Sequence, residues 1–442
     1  MIQRPKGTAD WFGQEMAYMT AIEEVVREVS ESYRFQEVRT PIFESYDLFS
    51  RGVGNGTDIV TKEMYDFKDK GDRHIALRPE GTASVVRAYI ENKWFGPEYP
   101  HPFKATYIGP MFRYERPQAG RMRQFHQFGA EVFAEKDPRI DAEVIAMACE
   151  IFNTLGLGQL KIAINSLGLP EERAAYRNAL VAYLEPLEEQ LSADSKRRYK
   201  DNPLRVLDSK DKGDQELTQD APKLSEYLSK ESKHYFEEVL RHLDLLKIAY
   251  VVDERLVRGL DYYQDTVFEI MTESEKFGAN TTICAGGRYD GLVSSLGGPE
   301  TAGVGFACGM ERLALLMQLE EANDSLRENE LDVYVVTIGE DASDYGFKLV
   351  NDLRSMGYVV DQDYRGRAVK KQFKQAQKDQ AKLVVTIGEN EIAESTISIK
   401  ALKTGKEASL PIEDVEEDFD GIFNRLTIDS SVIDAYFNES KD

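Results

Sequence analysis

The stretch FRYERPQAGRMRQFHQFGAEVF, residues 112–133, decides how the first two thirds of the chain are read. Two runs suited to extended backbone flank Pro117 and Gly120, which favour a turn, so the segment reads as two adjacent antiparallel strands. Arg113, Arg116, Arg121 and Arg123 surround the turn. Guanidinium forks match phosphate oxygens, so such a loop can clamp a polyphosphate; an exposed hairpin with solvated arginines is the plainer alternative. Alternation along the second strand sends Phe125, Gln127, Gly129 and Glu131 to one face. Phe125 can stack on a base, Gln127 and Glu131 can bind a polar ligand, and Gly129 leaves room for it. His126 falls on the other face and reads as structural.

Working outward, the chain to about residue 167 alternates helical patterns (MAYMTAIEEVVREVSESYRF, TASVVRAYIENKW, DAEVIAMACEIFNTLG) with closely spaced strands (HIALRP and the pair above). That order predicts an antiparallel sheet flanked by helices. Residues 168–246 are charged, leucine-spaced and poor in β-branched runs, the pattern of a helical insertion. Strands resume at IAYVVDERLV, so the insertion interrupts one domain. The polar stretch DSLRENE predicts a linker. Beyond it, VYVVTI, YVVDQ and KLVVTIG alternate with helices, Gly357 stops the first of them, and TISIKAL and EASL follow. This predicts a small α/β domain with a largely parallel sheet. The expected organisation is multi-domain α/β: residues 1–325 interrupted by the insertion at 168–246, then 326–442 with an acidic C-terminal end.

Four shorter stretches carry polar chemistry. RGLDYYQDTVFEI (258–270) places Arg258, Gly259 and Asp261 before a strand; if the tyrosines are extended too, Tyr262 and Tyr263 face opposite ways. LRPEGTASVVRAY (77–89) puts Glu80 and Thr82 where a strand meets a helix. Thr82 reads as an N-cap, and Glu80 can bind an ammonium group. In CAGGRYDGL (284–292) a plain turn explains Gly286 and Gly287, as does close backbone approach to a ligand beside Tyr289. GVGFACG (303–309) lacks the last glycine of a dinucleotide loop and reads as a strand feeding a helix. Arg312 then sits in the first turn, where free N–H groups suit phosphate; a solvated helix arginine is the alternative.

Composition narrows the classes. The chain has 442 residues and net charge −23, which disfavours broad nonspecific nucleic-acid binding and requires any polyanion to meet locally clustered cations. Three dispersed cysteines suggest a reducing compartment rather than a disulfide framework or thiolate zinc site. No apolar run is long enough to span a membrane, and no signal peptide is expected. There is no GxxxxGK[ST] loop, no metal-spaced histidine pair, and no Ser, Cys or His nucleophile arrangement. Taken as a set, arginines for phosphates, an aromatic for a base, carboxylates and tyrosines for a small polar cation and glycines for access suit attack on a nucleoside triphosphate by a bound substrate.

These stretches together resemble the histidyl-tRNA synthetase family of class II aminoacyl-tRNA synthetases. RGLDYY and AGGRYDGL are similar to the two stretches that set the family apart, FRYERPQAGRMRQFHQ to motif 2, GVGFACGMERL to motif 3, and TPIFE (40–44) to the motif 1 proline region of a dimer interface. Gln264 and Asp265 depart from the small polar or basic pair expected after the tyrosines. The resemblance implies a class II-type catalytic domain, the helical insertion and an anticodon-binding α/β domain. It implies that Arg113 holds the ATP α-phosphate and the histidine carboxylate, Glu115 reads the adenine amino group, Phe125 stacks on the ring, and Arg121 and Arg312 take the outer phosphates. Glu80, Thr82 and Gln127 would hold the α-ammonium. Glu131 and Tyr263 would bind the imidazole, with Tyr262, Tyr289 and the Gly286–Gly287 backbone closing the pocket. Arg258 would sit at the α-phosphate, and Arg258, Arg113, Gln127 and Glu80 form the implied catalytic set. tRNA would meet Arg116, Gln118 and Arg123 at the acceptor end and Arg365, Arg367, Lys370 and Lys371, beside Lys374, at the anticodon. The implied partners are tRNA(His), histidine, ATP with Mg2+, and a second copy of the chain, in the cytoplasm, with no membrane and no resident metal. A non-catalytic relative, the synthetase-like regulatory subunit of ATP phosphoribosyltransferase, is the alternative; it is expected to lack Arg258 and the C-terminal domain. A tRNA-binding module without activity is a third reading, and it would not need both a phosphate clamp and an amino-acid pocket.

Overall fold

The computed structural model describes residues 1–54, 57–117, 120–133, 135–200, 202–207, 209, 211–257, 260, 262–278, 281–323, 326 and 331–428. The chain divides into two compact units, Met1–Arg327 and Glu328–Asp442.

The first unit is built on an eight-stranded sheet. Its order is Gln36–Glu37, Phe103–Phe112, Gln124–Phe133, Gly303–Gly309, Thr281–Arg288, Gln264–Thr272, Leu160–Ser166 and Val251–Val252. The six inner strands pair antiparallel, and only the two short edge strands pair parallel. The expected hairpin is present: Phe103 lies opposite Phe133 and Phe112 opposite Gln124. One face is covered by helices Gly13–Ser32, Pro138–Thr154 and Met310–Glu320. Tyr18, Ile22, Val25 and Val29 form the buried stripe of the first, at helical spacing. Asp137 caps the second by accepting from the Arg139 N–H at 2.8 Å, with Pro138 in its first turn. Phe128, Ala130 and Val132 point into this layer, so the alternate residues are left for the opposite face.

The insertion follows strand Leu160–Ser166 with helix Pro170–Leu184 and a series of short helices. Its last helix, Lys230–Leu245, buries Val239 and Leu243 in the same core as helix Pro138–Thr154. A three-stranded sheet, Phe43–Ser45, His74–Leu77 and Asp66–Lys68, leaves Ile42, Phe43 and Phe67 exposed.

The second unit is a five-stranded sheet in the order Val360–Gln362, Val333–Thr337, Leu383–Ile387, Thr396–Ala401, Glu407–Pro411. The first three strands are parallel and the last two antiparallel. The sheet is therefore mixed rather than largely parallel, because the short turn after Ala401 permits only a hairpin, whereas a parallel pair needs a long crossover. Alternation along Val333–Thr337 sends Val333 and Val335 to one helix layer and Tyr334 and Val336 to the other.

Gly286 lies where three strands of the large sheet converge. A Cβ there would stand 2.3 Å from the Gly305 carbonyl oxygen and 2.6 Å from the Phe268 ring. One obstacle is backbone and the other a fully buried ring, so neither can step aside easily. Gly286→Ala should therefore destabilise the first unit by about 1–3 kcal/mol, the cost of overpacking a filled core, read by urea denaturation. An unchanged midpoint would show that the sheet can open at this point.

Candidate active site

A cavity of about 370 Å³ opens on the sheet face left free by the helices. Arg113 follows the first strand of the hairpin, whose open end is closed by an Arg113 N–H to Arg123 carbonyl bond of 2.9 Å. Its Nε donates to the Pro79 carbonyl at 2.8 Å, and its guanidinium carbon is 5.5 Å from the Phe125 ring centroid. Glu115 stands 4.0 Å from Arg113 and 3.4 Å from Arg121. Arg312 comes from the first turn of helix Met310–Glu320 and donates to the Thr282 carbonyl. Burial, and then the neighbouring Arg121 charge, hold its pKa below the usual arginine value, although a guanidinium stays charged at any working pH. Arg113, Glu115, Arg121, Phe125 and Arg312 all line the cavity. Arg116 is exposed, and Arg123 lies over the Tyr114 ring at 3.9 Å.

Glu80, Thr82, Gln127, Tyr262 and Tyr263 line the same cavity. Thr82 is not the N-cap expected from the sequence. It is the first helical residue of Thr82–Glu91, and the capping acceptor is Glu80, which takes the N–H groups of Thr82 and Ala83 at 2.8 and 2.9 Å. Burial raises the Glu80 pKa against those bonds. The Gln127 carboxamide oxygen is buried with no hydrogen-bond partner among the described residues. Such an acceptor is costly unless something donates to it. Tyr262 and Tyr263 do not face opposite ways: they precede the strand, which begins at Gln264, and their ring centroids lie 4.6 Å apart. The alternation rule fails because the backbone there is not extended.

Glu131 is wholly buried and stands behind the cavity wall. It accepts from the Thr82 hydroxyl at 2.7 Å and from the Tyr289 hydroxyl. Burial pushes its carboxyl up to about 8, and the two hydroxyl donors only partly offset that. Its cross-strand partner is Gly305, where a Cβ would come within 1.9 Å of the carboxylate. Tyr289, Gly286 and Gly287 also lie outside the lining; the two glycines make room for Phe268, Tyr263 and neighbouring backbone. Gly129 makes room for protein rather than ligand: a Cβ there would meet the Tyr107 ring and hydroxyl at 2.4 Å.

Two carboxylates to which the sequence assigns no role line the cavity; from the sequence Glu311 reads only as a first-turn residue beside Arg312. Glu269 accepts from the Thr282 hydroxyl at 2.7 Å, and a lone Glu within the apolar run TVFEI was the available signal. Glu311 accepts from the backbone N–H of His126 at 2.8 Å and approaches its Nδ1 at 2.9 Å, tying the hairpin to helix Met310–Glu320. The ring of His126 thus has the structural place expected. Among the described residues no group of three His, Cys, Asp or Glu could hold a metal. Arg258 and Gln118, with Gly259 and Asp261, lie outside the described residues.

In the second unit, Arg365, Lys370, Lys371 and Lys374 are exposed at or near helix Val369–Lys378, which has no acidic residue in its first turn. Arg367 is paired with Asp363 and lies 3.3 Å from the Gln375 side-chain oxygen. No helix among the described residues is long and apolar enough to cross a membrane.

Comparison with known proteins gives a consistent pattern. Residues 7–313 match a family model described as histidyl-tRNA synthetase, and residues 332–420 one described as anticodon binding domain. The chain is 53% identical over 422 residues to a histidine–tRNA ligase of Limosilactobacillus fermentum, covering 95% of this chain and 98% of that one. It is 54% identical over 419 residues to the ligase of Ligilactobacillus salivarius, covering 94% and 97%. Among solved structures, apo histidyl-tRNA synthetase of S. aureus superposes with a TM-score of 0.81 at 42% identity, covering 95% of this chain and all of that one.

The elevated Glu131 pKa has a signed consequence. Between about 4.5 and about 8 the folded protein keeps a proton that the unfolded chain has released, so stability falls as pH rises through that window and levels off above it. Glu131→Gln cannot titrate. Its stability relative to the unaltered protein should climb with pH up to about 8 and then flatten, as measured by denaturant melts at several pH values. A difference that stays constant below about 8 would show that Glu131 is ionised in the folded protein.

Proposed function

Because this chain belongs to the histidyl-tRNA synthetase family, and joins histidine to tRNA with ATP, we propose that the cavity is the site where histidine and ATP react and that its residues divide the work as follows. The observation that carries the proposal is the segregation of charge around Arg113. On one side its field reaches Glu80, which lines the cavity together with the partnerless Gln127 oxygen; on the other it lies 4.0 Å from Glu115, which stands 3.4 Å from Arg121, with Arg312 also in the lining. An α-ammonium group suits the first side and a triphosphate the second, which leaves Arg113 at the junction of carboxylate and α-phosphate.

Glu80, Thr82 and Gln127 accept from the α-ammonium, and the Thr82 hydroxyl also donates to Glu131. Phe125 supports the adenine while Glu115 accepts from its amino group. The imidazole is read by Glu131 and Tyr263, with Tyr262, Tyr289 and the Gly286–Gly287 backbone shaping the space around it. The histidine carboxylate attacks the α-phosphorus, pyrophosphate leaves toward Arg121 and Arg312, and Arg258 stabilises the charge that develops. A terminal ribose hydroxyl of tRNA(His) then takes the histidyl group and AMP departs. The protein's share is positioning and electrostatic stabilisation. Mg2+ bound with ATP would screen its phosphates, and Glu269, which lines the cavity and accepts from the Thr282 hydroxyl, would be a carboxylate within the site to help hold it. Arg116, Gln118 and Arg123 meet the acceptor end.

The chain works as a homodimer in the cytoplasm, and the exposed Ile42, Phe43 and Phe67 support a contact between copies there. Residues 1–325 form the catalytic domain, 168–246 its insertion, and 326–442 the anticodon domain. In the latter, Lys370 and Lys371 occupy the first turn of a helix, where a cation opposes the helix dipole unless phosphate is nearby.

The test is ATP–pyrophosphate exchange with each amino acid in turn: exchange with histidine alone supports the reading, and silence with histidine overturns it. Arg258→Ala should slow exchange by roughly a hundredfold or more, the scale of losing one preorganised donor. Near-normal exchange would remove Arg258 from the catalytic set. The paired substitution Lys370→Glu, Lys371→Glu should lower charging of tRNA by about tenfold or more at moderate salt while leaving exchange unchanged, since only phosphate contacts are lost. Equal charging by both proteins would move the tRNA contact elsewhere.

A further inference from the structure

Behind the tyrosine end of the cavity runs a buried ladder of charges that takes no part in lining it. Arg288, fully buried, pairs with the equally buried Asp141 and lies 2.9 Å from Asp290. Asp141 also accepts from the Tyr235 hydroxyl at 2.8 Å, on the last helix of the insertion. The Tyr235 ring faces both the Arg288 guanidinium, at 5.5 Å, and the Lys136 ammonium, at 5.6 Å. Lys136 in turn lies 3.0 Å from Asp265 and 3.4 Å from Asp290.

Each branch of the ladder ends beside a pocket tyrosine. Tyr289 sits between Arg288 and Asp290 and donates to Glu131. Asp265 follows Tyr263 by two residues and adopts a left-handed φ of 46°. Its N–H donates to the Gly168 carbonyl at 3.0 Å, and its carbonyl accepts from the Leu167 N–H at 2.7 Å. Asp265 is 2% exposed, and a buried carboxylate is retained only when paired. Its partner Lys136 is partly exposed, with 44% of the side chain accessible, and spans the gap between the two branches.

We propose that Lys136 is a positioning residue for histidine recognition: by holding Asp265 and Asp290 together it sets where Tyr263 and Tyr289 stand relative to Glu131. The inference rests on the reading of the cavity as the histidine site. Lys136 touches no substrate and acts through the two aspartates. Among the described residues no ion pair joins Arg113, Arg121 or Arg312, the proposed phosphate-binding residues, to this ladder, so the effect is confined to one substrate.

The test is Lys136→Met in the full-length protein, with exchange measured while histidine and ATP are varied separately. The KM for histidine should rise about tenfold, the scale of one charge-assisted hydrogen bond, while the KM for ATP stays near its original value; the Tm should fall, because Asp265 is left buried without its cation. Lys136→Arg should restore most of the histidine affinity. Asp265→Asn should reproduce the defect from the other end of the pair, and the double variant should add little, as coupled partners do. An unchanged KM for histidine overturns the proposal, as does a parallel rise in both KM values that Lys136→Arg fails to rescue. Absence of histidine-dependent exchange in the unaltered protein would overturn the reading of the site, and this inference with it, and is seen before any variant is made.

Discussion

The pairing of strand Phe103–Phe112 with strand Gln124–Phe133 is the constraint on which the site depends. Ten consecutive residue pairs fix its register, so the second strand cannot slip by one without turning Phe128, Ala130 and Val132 out of the helix-covered core. The same register aims Phe125 and Gln127 at the cavity and buries Glu131 beneath it. It also brings Arg113 opposite Arg123, so the guanidinium groups of the turn are presented from a closed hairpin rather than a loose loop. The apolar side of this pairing stabilises the geometry of the polar side.

Electrostatics then works locally against a global field. A net charge of −23 would repel ATP and tRNA if it were evenly spread. Instead, Arg113, Arg121 and Arg312 converge on one cavity, and Lys370, Lys371 and Lys374 on one short helix. Burial does the reverse for Glu131, whose carboxyl is pushed up to about 8 in a place where Tyr289 and Thr82 can still donate to it. The site therefore sets cations that stay charged near a carboxyl whose hold on its proton is strengthened by burial.

Much of this was legible because alternation and turn chemistry are local rules. The hairpin at 112–133 places Phe125 and Gln127 as the period-two pattern requires, and the strand-to-helix step at 303–312 puts Arg312 in a first turn. Local rules failed where long-range contacts compete. Thr82 has the composition of an N-cap, but Glu80 reaches the same N–H groups with a longer arm, leaving the threonine hydroxyl free to donate to Glu131, forty-nine residues away. Gly129 looked like space for a ligand, yet Tyr107, opposite it in the ladder, fills that space. Tyr262 and Tyr263 both reach the cavity because they precede their strand, which begins only at Gln264, so period-two alternation does not yet apply to them.

By itself the sequence determined the order of elements, the antiparallel character of the first sheet, the presence of an inserted helical segment, and the residue types from which a phosphate-binding and amine-binding site could be made. Those follow from periodicities of 2 and 3.6 and from the conformational limits of Gly and Pro, all properties of short stretches. Only the tertiary structure decided which polar groups are buried and whom they meet: Glu131 against Gly305, Glu311 beneath His126, and Arg288 between Asp141 and Asp290. Those partners lie up to 185 residues apart in the chain. Their energies depend on desolvation, which is set by how the helices and the insertion close over the sheet and is written in no single segment.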